Sequence, residues 1–72
     1  MIQNLRKLMR ANHVRQRDLA EVLGVSEQAV SDKMHGRTNF TFKDANRLAD
    51  YFEVSLDYLT GRSDYTKPLE VA

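Results

Sequence analysis

The segment from Gln16 to Gly36, QRDLAEVLGVSEQAVSDKMHG, constrains this chain more than any other. Leu19, Ala20 and Leu23 recur at the i, i+3, i+4 spacing of a helix with one apolar face, and Gly24 follows as a residue able to take positive φ at no steric cost. Ser26 then reads as an N-cap, and Ala29, Val30 and Met34 form the inward face of a second helix from Glu27 to about His35, stopped at Gly36. Two short amphipathic helices joined by a tight turn at Gly24, Val25 and Ser26 make a helix-turn-helix by spacing. Ala20 is small enough for a close helix crossing, while Val25 and Val30 are expected to plug the space between the two helices.

The flanking sequence surrounds this pair with further helices. Ile2 to about Ala11 places Leu5, Leu8 and Met9 on one face and Arg6, Lys7 and Arg10 on the other, and Asn12, His13 and Val14 form the loop that ends it. After a turn-rich loop from Arg37 to Phe40, Thr41 caps a helix through Phe52 whose apolar side is Phe42, Ala45, Leu48, Ala49 and Phe52. Asp44 stands at the third helical position, suited to a capping-box contact. Ser55 caps a last short helix, Leu56 to Thr60, closed by Gly61. The expected fold is all-α: a compact five-helix bundle over residues 1–61, with residues 62–72 as a C-terminal tail that is flexible or contributes to dimerisation.

Composition narrows the function classes. The 72 residues include no cysteine, so no disulfide framework or thiolate metal site is available. His13 and His35 have no partners at metal-ligand spacing and read as surface histidines, so neither metal nor cofactor is expected. No apolar run approaches the roughly 20 residues needed to span a bilayer, and Arg6, Lys7 and Arg10 interrupt any signal-like core. A cytoplasmic protein without membrane association is the expectation. Ser31, Asp32 and His35 are close in sequence, but on one exposed helix they lack the shaped pocket that nucleophilic catalysis requires, so no enzyme activity is expected.

Charge distribution is more telling than its total. The net charge is only +1, yet residues 1–17 contain Arg6, Lys7, Arg10, Arg15 and Arg17 and no acid, leaving about −4 for the remainder. Such a dipolar chain can orient one face toward phosphates, although a solvated basic helix face would look the same. The outward face of the 27–35 helix carries Glu27, Gln28, Ser31, Asp32 and His35, and could either read a DNA major groove or be an ordinary polar face.

The run VRQRDLAEVLGVSEQAVSDKMHGRTNFTF followed by LADYFEVSLDYLTGRSD resembles the Cro/repressor-type (Xre-like) helix-turn-helix family, typified by phage repressors. The resemblance covers roughly residues 2–62, through Gln16, Leu19-Ala20, Gly24-Val25-Ser26, Val30-Ser31, Gly36 and Val54-Ser55-Leu56-Asp57-Tyr58-Leu59. It implies a lambda-repressor-like fold and sequence-specific transcriptional regulation, with repression by a homodimer on a palindromic double-stranded DNA operator. By the same resemblance Ser26, Glu27, Gln28 and Asp32 face the bases or the adjacent backbone, and Gln16, Arg37 and Asn39 contact phosphate; Ser31, on the same outward face, is expected to border the bases, and Arg15, Arg17 and Lys33 are expected to offset the acids by contacting the DNA backbone. Gln28 suits adenine N6 and N7, whereas ionised Glu27 and Asp32 only accept and would favour a cytosine amine.

The chain departs from the family pattern twice. Asp32 occupies a position that is commonly basic or amide, and it either reads a base or supports a neighbour such as Arg17. Met9 and Met34 stand where many relatives pair an arginine with a glutamate between the first and third helices, and apolar contact there need not destabilise. A protein-interaction module, such as an antitoxin or a polymerase adaptor, is the competing class, with a regulatory protein as partner. Candidates for the dimer surface are Leu56, Tyr58 and Leu59, and the tail with Tyr65, Pro68, Leu69 and Val71. The chain would fit either a complete Cro-like regulator or the DNA-binding part of a longer repressor.

Overall fold

The computed structural model describes residues 1–61, which form five helices: α1 (Ile2–Asn12), α2 (Gln16–Leu23), α3 (Glu27–Met34), α4 (Phe42–Phe52) and α5 (Leu56–Thr60). The expectations for the tail, including Tyr65, Pro68, Leu69 and Val71, lie outside the described residues.

Most boundaries are set by local chemistry. Ser26 Oγ accepts from the Ala29 N–H at 3.1 Å, and Ser55 Oγ accepts from the Tyr58 N–H at 3.0 Å, so α3 and α5 begin where a hydroxyl satisfies an otherwise orphaned donor. At α4 the exchange is reciprocal: Thr41 Oγ1 accepts from the Asp44 N–H, and Asp44 Oδ2 accepts from the Thr41 N–H, each at 3.0 Å. Gly24 ends α2 in the left-handed region at φ 71°. α1 runs one residue beyond its expected end, because Asn12 Nδ2 donates to the Leu8 carbonyl at 2.8 Å and the left-handed stop falls at His13.

Each helix contributes one fully buried side chain to a single core: Leu5, Leu19, Val30, Leu48 and Leu59 are all at 0 % exposure. α2 packs against α3 and α4, α4 against α5, and α5 against α1, so α4 braces the first helix of the helix-turn-helix pair. Polar side chains fasten the helix ends. Arg47 of α4 donates to the carbonyl of Leu23, the last residue of α2, at 3.3 Å; Arg6 of α1 donates to that of Met34, the last residue of α3, at 3.4 Å. Asn4 donates to the Tyr58 carbonyl at 2.7 Å, tying α1 to α5. Carbonyls near helix C-termini lack intrahelical partners, so these bonds join packing to cap satisfaction.

Three expectations need correction. Phe42 is 74 % exposed and does not join the apolar face of α4, because it occupies the first position of that helix, beyond the reach of the core. Val25 is 37 % exposed at the turn, so Val30, not Val25, fills the space between α2 and α3. α3 ends at Met34, with His35 as its cap. Met34 is buried and Met9 packs half-buried against the same core, consistent with apolar contact in place of an ion pair.

Candidate nucleic-acid interface

α3 presents an exposed polar edge one side chain away from the core. Val30 and Met34 anchor it inward, while Glu27 and Gln28 are exposed and Ser31 and Asp32 half-buried. The edge is organised by Asp32. Its Oδ1 accepts from Gln28 Nε2, one turn earlier, and from the Arg37 guanidinium, each at 3.1 Å. The Asp32 main-chain carbonyl in turn accepts from the N–H groups of Arg37, at 2.9 Å, and Thr38, at 3.4 Å, which folds the following loop back onto the end of α3. The neighbour that Asp32 bonds is Arg37 and not Arg17. Arg17 makes no ion pair among the described residues.

Lys33 points elsewhere. Its Nζ donates to Asp44 Oδ2 at 3.0 Å and to the Asn39 carbonyl at 2.9 Å, and lies 5.8 Å from the centre of the Phe40 ring. Both ionised side chains are only 14 % exposed, so this pair closes the loop between α3 and α4 from the inside. Burial pushes the Asp44 carboxyl up, but the Thr41 N–H, the hydrogen bond from Lys33, its positive charge and the Thr41 hydroxyl together outweigh it, holding the group below its ordinary range. Lys33 thus has a structural task that its expected contact with DNA did not foresee; neither Asp44 nor Phe40 stands near it in sequence.

The remaining candidates flank this edge. Arg15 is the exposed N-cap residue of α2, with its N–H bonded to Asp18 Oδ2 at 2.9 Å; Gln16 opens the helix half-buried and Arg17 is exposed. Ser26 is exposed with its hydroxyl accepting at the α3 cap, and Asn39 is exposed in the loop with its carbonyl accepting from Lys33. Ser31 Oγ lies 3.4 Å from His35 Nδ1, which is also 2.8 Å from the Ser31 carbonyl. This pair is on an open helix edge and Asp32 is turned away from it toward Arg37, so Ser31, Asp32 and His35 do not form a relay. Among the described residues no group of histidine, cysteine or carboxylate side chains could hold a metal ion, and no helix is long and apolar enough to cross a membrane.

A protein-family model described as helix-turn-helix matches residues 5–59, a span that takes in all but the first residues of α1 and the end of α5. No curated protein and no solved structure matches the chain.

Proposed function

The chain belongs to the Cro/repressor-type (Xre-like) helix-turn-helix family of DNA-binding regulators, and from that premise we propose that it is a transcriptional repressor acting as a homodimer on a palindromic operator. α3 enters the major groove with its polar edge toward the bases. The observation that carries this reading is the Gln28–Asp32–Arg37 network: an amide at the exposed start of α3 and a guanidinium in the next loop both bond Oδ1 of Asp32. Gln28 supplies the donor and acceptor that an adenine edge requires, and Arg37, whose side chain is 61 % exposed, supplies the phosphate contact beside it. Arg15 and Arg17 approach the backbone from the start of α2, where Gln16 and the positive end of the helix also favour an anion. Ser26 and Asn39 are the further backbone contacts, and Ser31 borders the bases. Occupancy of a promoter by such a dimer represses by excluding polymerase, and the action is placed in the cytoplasm, where the DNA is.

Two half-sites related by a two-fold axis follow from a symmetric dimer, spaced about one helical turn. Selection of duplexes from a random pool, followed by sequencing, tests the proposal. A palindromic consensus with affinity falling steeply in salt, at a slope set by about four to six phosphates per monomer, is expected. A selected pool without consensus, or binding indifferent to salt, refutes it and favours a protein partner.

A further inference from the structure

The acid in the middle of α3 is the feature that a DNA-reading helix accounts for least, since a carboxylate repels phosphates and cannot donate to a base. Its bonds give it another task. Gln28 Nε2 and Arg37 NH1 both converge on Oδ1 of Asp32, one from its own helix and one from the loop after it. The side chain of Asp32 is 30 % exposed and that of Arg37 61 %, so the network is open to a ligand on the Arg37 side.

We propose that Asp32 is a positioning residue that fixes the Gln28 amide for reading a base and couples that reading to the phosphate contact of Arg37. The inference rests on the DNA-binding function proposed above and deepens it. A glutamine amide can turn over, exchanging its oxygen and nitrogen, and so present either order of donor and acceptor. An ionised carboxylate accepts only, so beside Asp32 the amide nitrogen must face Oδ1. One N–H is spent on Asp32. The second N–H and Oε1 remain, side by side and in one order, which is the pair that adenine N7 and N6 complete. Arg37 neutralises the carboxylate that does this, and spends only one of its five donors on it, keeping the others for phosphate. The same acid thereby sets the orientation of the reader and the reach of the loop.

Two measurements test this. In the free protein, Asp32→Ala shifts the Gln28 side-chain amide resonances and the Arg37 guanidinium resonances; unmoved resonances overturn the network without reference to DNA. In duplex selection, Asp32→Ala and Gln28→Ala each lose about tenfold discrimination at the same base pair, and the double variant loses no more than either alone. Asp32→Asn, which keeps an acceptor oxygen but no charge, retains part of that preference and guards against a folding defect in the alanine variant. Loss of preference at a different base pair in the Asp32 variants means that Asp32 reads a base itself, and an unaltered profile means that it positions nothing; either overturns the inference while leaving the DNA-binding function standing. A wild-type chain that selects no duplex removes that function and the inference together.

Discussion

Replacing Lys33 with methionine separates a structural lysine from a phosphate-binding one. The variant keeps the apolar stem but removes the ammonium, and with it the bonds to Asp44 Oδ2 and the Asn39 carbonyl and the approach to the Phe40 ring. A hydrogen bond to a charged group contributes about 1.5–3 kcal/mol, and removing one partner of a fully buried pair costs about 3–5 kcal/mol. This pair retains 14 % exposure on each side, and Asp44 keeps its bond from the Thr41 N–H, so the lower range applies. We expect a loss of about 2 kcal/mol, which in a domain of this size lowers Tm by roughly 8–16 °C.

The loss has a pH signature. In the folded wild type the Asp44 carboxyl is held below its ordinary value of 3.8, despite the opposing effect of burial. A depressed carboxyl stabilises the fold fully above its unfolded value, and that contribution disappears as pH falls through the lower, folded value. The Tm difference between wild type and Lys33→Met is therefore full at neutral pH and narrows in acid below the ordinary carboxylate range. Thermal melts across that range, followed by circular dichroism, measure it. A difference that persists unchanged in acid, or no difference at neutral pH, refutes the assigned pair. Where both proteins are folded, the salt slope of DNA binding should be the same; a slope reduced by about one would instead assign Lys33 to a phosphate.

Ser26→Ala removes the α3 cap and should cost about 1 kcal/mol in chemical denaturation, with helix content otherwise kept. Gly24→Ala meets open space, since nothing lies within 4 Å of the added Cβ. Its cost is therefore only the left-handed backbone at φ 71°, about 1–2 kcal/mol, and a larger loss in a urea titration would indicate that the turn is packed. Met34→Glu buries an unpaired carboxylate beside the core and should lower stability by about 3–5 kcal/mol, with partial recovery when Met9→Arg is added; equal melting temperatures for wild type and the single variant would reject burial of that side chain.

The helices were legible because their ends are local. Gly24, Ser26, Thr41 and Ser55 announce their roles through their own conformational or hydrogen-bonding chemistry, and the apolar spacing of Leu5, Leu19, Val30, Leu48 and Leu59 requires no knowledge of the partner helix. Phe42 continues the spacing of Ala45 and Ala49, yet at the first position of α4 its ring stays 74 % exposed, and spacing alone does not show where the cover of a helix face stops. The site was less legible than the fold. Lys33 beside Asp32 reads as a charge offered to DNA, and the structure adds a bond to Asp44, 11 residues away across a loop. Arg37 reads as a phosphate contact, but its bond to Asp32 depends on the main-chain turn that brings its N–H to the Asp32 carbonyl, and residue spacing does not encode that turn.

These pairings change what the acidic residues of α3 mean for DNA. Sequence presents two acids, Glu27 and Asp32, on the edge proposed to face DNA. In the folded chain Asp32 is matched by Arg37, and Lys33 is matched by Asp44. Glu27 is left as the acid on that edge with no ion pair among the described residues, set in the first turn of α3. Arg15 and Arg17 are exposed at the start of the packed neighbour α2. A carboxylate in such a place contributes nothing to affinity for phosphate and can only gain from a base that donates. On the proposed DNA-bound arrangement the expected effect of Glu27 is therefore discrimination: a site with a cytosine amine in reach satisfies it, one without leaves a desolvated anion, and Glu27→Ala should relax that base preference in duplex selection.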